Sequence, residues 1–358
     1  MITRLEGRAP AKLNLTLEVL GRRADGYHEV ASIMHTLSLC DTLTLELPPP
    51  ELLNPAHGEI RVVEASDSPP LRDAIPTDSR NLVWQAVARF WEMLNLPPSL
   101  RFPPLREGNR ELGSLCPQGV ELTLCEGNQP PSVPPAGRGN LKEGVQKQPL
   151  AWRATLTKRI PSQAGLGGGS SDAACALRLL NQWAARYERA LSDDALYALA
   201  SELGADVAFF LKGGCARATG RGEQLQSLPT LSTFWWVLAK PYEVGVPTGW
   251  AYAQLGRGVC SPATRAEHTE YLTRLLPTIQ TPRQLAPLLH NDFDAPILKA
   301  IPALAELRAL LEQGGALRVI LCGSGAAQAA LCDSEDHAKT LANTLLQHNY
   351  WAVWAQNG

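Results

Sequence analysis

The sequence predicts a two-domain protein that mixes sheet and helix, and three observations carry the prediction. The chain has 358 residues, enough to bury two ordinary hydrophobic cores. Residues 11–19 alternate: Leu13, Leu15, Leu17 and Val19 face one way and Lys12, Asn14, Thr16 and Glu18 the other, which is a strand pattern. Residues 154–187 read as strand, glycine loop and helix in succession.

The N-terminal strand sets a cation, Lys12, beside an amide, Asn14, on one surface. A solvated strand face is the ordinary fate of such residues. Residues 29–47 continue as strand-like runs, and Ser79-Arg80-Asn81-Leu82 opens a helical pattern through about Leu94. Residues 97–150 differ in character. Ten of the 28 prolines fall there, among many Gly, Asn and Gln, so the interval is expected to be loop, with one short strand at 119–124. A tolerated surface excursion fits this composition better than a functional lid.

Ala154, Leu156 and Ile160 form the apolar face of the next strand, interrupted by Lys158. The loop that follows is Pro161-Ser162-Gln163-Ala164-Gly165-Leu166-Gly167-Gly168-Gly169-Ser170-Ser171-Asp172. Residues 173–187 are rich in Ala, Leu and Arg without Gly or Pro, and are expected to be helical. Glycines admit positive φ and let a ligand approach the backbone amides. A helix N-terminus adds free N–H groups and the positive end of a dipole. Together they make an anion site, with phosphate the usual occupant. A tight turn with a serine cap is the plainer alternative. Four glycines in five residues followed by two serines argue against it.

The loop is not a Walker A motif, because no Lys follows its glycines. It also misses the dinucleotide fingerprint, since Ser170 stands where the third glycine belongs. Neither His-Arg-Asp nor Asp-Phe-Gly occurs, which excludes a protein kinase.

Farther on, Ser192-Asp193-Asp194 caps a helix to Leu203, with Gly204 as its stop. Asp206 then sits in the apolar stretch Gly204–Phe210, where a carboxylate is costly unless paired or used. Trp235–Ala239 is a further strand, and Leu321-Cys322-Gly323-Ser324-Gly325-Ala326 a small-residue turn.

The formal net charge of −2 gives a nucleic-acid partner no electrostatic support. The eight cysteines show no Cys-x-x-Cys and no Cys/His pairing, so neither zinc nor a disulfide framework is expected. The start, Met1–Arg8, lacks an apolar signal core, and no apolar run approaches the ~20 residues that span a bilayer. The expectation is a soluble cytoplasmic protein with a small-molecule partner, no nucleic acid and no membrane, either monomer or homodimer.

The loop and its flanks, Lys158-Arg159-Ile160-Pro161 and Ser171-Asp172-Ala173-Ala174, resemble the phosphate loop of the GHMP kinases, which include galactokinase and the homoserine and mevalonate kinases. The resemblance extends to Pro10-Ala11-Lys12-Leu13-Asn14-Leu15, to Gly204-Ala205-Asp206-Val207-Ala208-Phe209-Phe210 and to the turn at 321–326. Asp25-Gly26-Tyr27-His28 is similar to the signature of one branch, whose substrate is a cytidine-diphosphate-linked sugar alcohol of non-mevalonate isoprenoid synthesis. Two departures stand out: Ala208 replaces the family's usual Pro, and Ala326-Ala327-Gln328-Ala329 departs from the family pattern of the third motif.

The resemblance implies an α+β GHMP kinase fold. An N-terminal domain like the second domain of ribosomal protein S5 would cover 1–228, with 97–150 as an insertion, and a ferredoxin-like domain would cover 229–358. It implies transfer of the ATP γ-phosphoryl group to the 2-hydroxyl of that sugar alcohol, with Mg²⁺. Asp206 would accept the hydroxyl proton and Lys12 would offset developing charge. Asn14, Tyr27, His28, Thr248 and Tyr252 would bind substrate. Residues Pro161–Ser171 would hold ATP, with Asn81 and Lys158 near the adenosine and the Ser170 or Ser171 hydroxyl on the metal. His290-Asn291-Asp292-Phe293 would be a helical Asn-Asp. Another GHMP substrate, such as homoserine or a mevalonate derivative, and a non-catalytic nucleotide binder remain alternatives.

Overall fold

The structure, a computed structural model, describes residues 2–95, 150–261 and 264–357. The proline-rich interval and its expected strand at 119–124 lie outside the described residues, except for Leu150, which opens a strand.

Eleven strands are described: β1 (Thr3–Arg22), β2 (His28–Leu47), β3 (Leu53–Glu64), β4 (Leu150–Lys158), β5 (Cys215–Thr219), β6 (Gln224–Leu228), β7 (Trp235–Pro241), β8 (His290–Asn291), β9 (Arg318–Leu321), β10 (Gln328–Cys332) and β11 (Tyr350–Gln356). The helices are α1 (Leu82–Asn95), α2 (Gly168–Ala185), α3 (Asp193–Leu203), α4 (Ala205–Lys212), α5 (Thr248–Leu255), α6 (Glu267–Leu275), α7 (Pro282–Leu285), α8 (Asp294–Ala300), α9 (Pro302–Gln313) and α10 (Glu335–Gln347). The first sheet runs β3-β4-β2-β1-β8, with β5 paired along another part of β2 and β6 paired to β5. The second runs β11-β7-β10-β9, antiparallel throughout.

Burial stacks these pieces in layers. Helices α1–α4 pack on one face of the first sheet around Phe90, Trp152, Trp183 and Phe210. The other face carries Leu13, Leu15 and Ile33 against Trp236, Leu238, Ile320 and Trp351 of the second sheet. Helices α9 and α10 cover the far side of that second sheet. The two sheets therefore share a core, which fixes the cleft between them. The expected boundary at 228/229 falls in the link between β6 and β7, yet β8, from beyond it, pairs with β1.

The alternation of β1 is real, but its polar face is not solvated. Lys12, Asn14, Thr16 and Glu18 are all buried. Glu18 accepts hydrogen bonds from the backbone N–H groups of His268 and Thr269, so it caps α6, which lies on that face. The β1–β2 register shifts between Pro10 and Lys12 and again between Asn14 and Thr16. Such bulges re-aim side chains, and here they bracket Lys12 and Asn14.

Two elements differ from expectation. Helix α2 begins at Gly168, inside the glycine run. Low intrinsic helix propensity of glycine hides that start in the sequence. Asn291-Asp292 is not helical. Asn291 lies in β8, and its side-chain amide donates to the carbonyls of Leu321 and Gly323, which holds it in extended form ahead of α8.

Candidate active site

The glycine loop is held by backbone contacts on both sides. Its N-terminal arm meets the small-residue turn: Ala326 N donates to Gln163 O and Ala327 N to Ala164 O, each at 3.1 Å. Gly165 has φ +76, and a Cβ there would fall on the Cys322 carbonyl. Gly167 has φ +74 and forms the N-cap of α2; a Cβ there would lie 2.8 Å from the Phe210 ring and 3.2 Å from Lys12 Cγ. Only glycine fits both conditions. Lys12 N donates to Leu166 O at 3.0 Å, tying the loop to β1. Ser162 N donates to Asp73, and Pro161 is buried. Gly168, Gly169, Ser170 and Ser171 form the first turn of α2, which contains no acid to compete with a bound anion. Ser170 is half-buried, while the Ser171 hydroxyl is buried with no hydrogen-bond partner among the described residues.

Across the cleft, Lys12 and Asp206 approach to 3.7 Å. The Lys12 ammonium donates to Asn14 Oδ1 at 2.7 Å, and Asn14 Nδ2 donates to Ser32 Oγ at 2.8 Å. Ser32 in turn donates to the Thr16 carbonyl. This chain fixes the amide of Asn14 and aims the ammonium. Asp206 lies in the first turn of α4, with its side chain 37 % exposed. Lys12, Asn14, Gly165, Gly167, Asp206 and Gly323 all line one cavity of about 280 Å³.

The opposite wall is aromatic. Tyr252 lines the same cavity, and its ring stacks on His28 at 4.6 Å and meets Phe293 edge-on. Burial, with the Asp206 carboxylate nearby, pushes the Tyr252 phenol up to about 12. Burial, aided by Arg22, pulls His28 below its ordinary value. Both rings are therefore neutral near pH 7. Thr248 begins α5 and lines the cavity. Tyr27 is exposed and lies under the Arg221 guanidinium.

The two residues expected near the adenosine are engaged by protein groups. The Lys158 ammonium is buried between Asp41 and Asp172 and donates to both. The two carboxylates outweigh the burial that would depress it and hold it above its ordinary value. It lies beneath the loop, so its donors face protein rather than cleft. The Asn81 side chain accepts from Val83 N and donates to Pro76 O, capping α1. Ser32, Phe293 and Arg221 also line the cavity, and no local sequence pattern marks them as site residues. Among the described residues no cluster of three or more His, Cys, Asp or Glu could hold a metal ion. No described helix is long and apolar enough to cross a membrane.

The N-terminal domain of the GHMP kinases matches residues 139–214 and the C-terminal domain matches residues 273–350. The chain belongs to the GHMP kinases, ATP-dependent kinases of small molecules. Two curated relatives come from one branch. A 4-diphosphocytidyl-2-C-methyl-D-erythritol kinase from Gloeobacter violaceus is 32% identical, covering 94% of this chain and 89% of its own. Another from Shouchella clausii is 31% identical with the same coverage, 94% and 89%. A solved 4-(cytidine 5'-diphospho)-2C-methyl-D-erythritol kinase superposes with TM-score 0.63 at 28% identity, covering 99% of this chain and 100% of that one. A homoserine kinase from Cytophaga hutchinsonii, at TM-score 0.60 and 15% identity over 99% of this chain and 94% of its own, shares the fold.

Proposed function

We propose that this chain catalyses the reaction of those relatives, moving the γ-phosphoryl group of ATP to the 2-hydroxyl of 4-diphosphocytidyl-2-C-methyl-D-erythritol. One observation carries the reading: a lysine–aspartate pair opens into a cavity bounded by the glycine loop on one side and a stacked His–Tyr wall on the other.

Phosphoryl transfer asks mainly for positioning and charge stabilisation. The loop amides of Pro161–Ser171 receive the ATP phosphates at the start of α2. Asp206 accepts the proton of the attacking hydroxyl, the O–P bond forms at that oxygen, and ADP leaves. Lys12, steered by Asn14, stands beside both the acid and the reacting oxygen and offsets the charge that develops there. His28 and Tyr252 take the cytosine, with Tyr27 and Thr248 at its edge. Lys158 supports the nucleotide site by holding the loop from below, and Asn81 by starting α1.

Mg²⁺ fits this donor set in one way. Ser170 offers a hard hydroxyl oxygen beside the phosphate site, and with no acidic cluster among the described residues the phosphates and water would supply the other ligands. When bound, the ion neutralises phosphate charge. The deciding experiment is coupled ADP release with the cytidylated substrate and with its uncytidylated relative. Turnover confined to the cytidylated compound is expected, and equal turnover of both would defeat the reading.

A further inference from the structure

Resting on the reading of this cavity as a cytidylate site, we infer that Arg221 is a specificity residue that binds the diphosphate of the substrate. Three charged side chains line the cavity among the described residues: Lys12, Asp206 and Arg221. Lys12 is already engaged by Asn14 and Asp206. A diphosphate diester brings about two negative charges, and Asp206 adds a third. Lys12 alone leaves such a ligand largely uncompensated.

Arg221 is placed to meet that need. It sits at the tip of the turn joining β5 to β6, where Gly222 N donates to Thr219 O. The turn is pinned by Gly220 N, which donates to Glu29 Oε1 at 3.1 Å, and by Arg221 N, which donates to Glu223 Oε2 at 2.6 Å. The backbone is thus fixed while the Arg221 side chain remains 44 % exposed. Its ion pair with Glu223 is long, 4.0 Å, and its Cζ lies over the Tyr27 ring, 4.9 Å from the centroid. Stacking on an aromatic ring orients the planar fork without using its N–H donors. Those donors suit two phosphate oxygens at once. Tyr27 adjoins His28, whose ring stacks on Tyr252, so Arg221 stands next to the wall that takes the base. A base on that wall and a hydroxyl at Asp206 leave the diphosphate between them, on the face that Arg221 lines.

The test is calorimetry with CDP and with cytidine, the ATP loop being filled by a non-hydrolysable ATP analogue. Wild type should prefer CDP by about tenfold or more. Arg221→Gln should weaken CDP by about 10- to 100-fold and change cytidine by less than about twofold, and Arg221→Lys should recover part of the loss. In steady state the same variant should raise KM for the cytidylated substrate while kcat and KM for ATP hold. Equal losses for CDP and cytidine, unchanged CDP affinity in Arg221→Gln, or no preference in wild type would each overturn the assignment. Because the readout is binding, it stands apart from turnover. A wild type that prefers CDP yet phosphorylates nothing would refute the kinase reading and leave Arg221 in place.

Discussion

Two lysine–carboxylate pairs flank the glycine loop, and they are built in opposite ways. Above the loop, Lys12 meets Asp206 at 3.7 Å, with the acid 37 % exposed. Below it, Lys158 is enclosed by Asp41 and Asp172, each almost wholly buried. Asp41 also accepts from the backbone N–H groups of Arg159 and Ile160, so one carboxylate gathers the end of β4 and the start of the loop. A loose pair at a cavity keeps acceptor capacity for a substrate proton. A tight, buried one holds shape. Stability and chemistry are thus divided between two sites that look alike in the sequence, a lysine in a strand and an aspartate some distance away.

The sharpest way to break this contrast is to exchange the consequences. Asp206→Asn or Lys12→Ala should lower kcat by roughly 10²–10⁴. Removing both should cost little more than removing one, because they act as a unit. Thermal midpoints of these variants should stay close to wild type. Asp41→Ala should do the reverse. Deleting one partner of a buried ion pair costs about 3–5 kcal/mol, to be read in denaturant unfolding, while turnover per folded molecule stays within a few-fold.

The loop between the pairs should feel both. Gly167→Val should abolish measurable ATP binding in calorimetry. It should also lower stability by about 1–3 kcal/mol, since its φ of +74 and the Phe210 ring oppose a side chain before any phosphate arrives. Gly169→Ala should preserve the fold, because a Cβ there meets only Leu82 at 4.0 Å. A Gly167 variant that binds ATP normally would move the phosphate site elsewhere.

The smallest effect is in pH. Burial and the neighbouring Asp41 push the Asp172 carboxyl up to about 7, against the pull of Lys158. A raised acid binds its proton more tightly when folded than when unfolded. Its stabilising contribution is therefore largest below its unfolded value of 3.8 and is lost as pH climbs towards 7. Asp172→Asn cannot titrate, so the stability difference between wild type and this variant should shift against wild type from pH 4 to pH 7. A pH-independent difference would mean that Asp172 is ionised throughout.

What the sequence made legible was local. The glycine loop, the Ser192 cap on α3 and the Lys12–Asn14 neighbourhood each rest on residues close in the chain, and periodicity or turn chemistry reports them. What it hid was long-range. Lys158 reads as a cation breaking an apolar face because Asp41 lies 117 residues away. Glu18 reads as a solvated residue because the helix it caps lies 250 residues on. Arg221 stands among glycines, and nothing local announces that its turn folds back over Tyr27. Even the start of α2 is hidden, since tertiary contacts carry helix into glycines that propensity assigns to loop.

The most direct measurement is the transfer step itself: a rapid-quench single turnover with Asp206→Asn saturated with ATP and the cytidylated substrate, on protein verified as folded by circular dichroism. If Asp206 accepts the hydroxyl proton, labelled product should form roughly 10²–10⁴ times more slowly than in wild type, with the affinities for both ligands within a few-fold. Product formation at the wild-type rate would contradict the account and reduce Asp206 to a residue that merely begins α4.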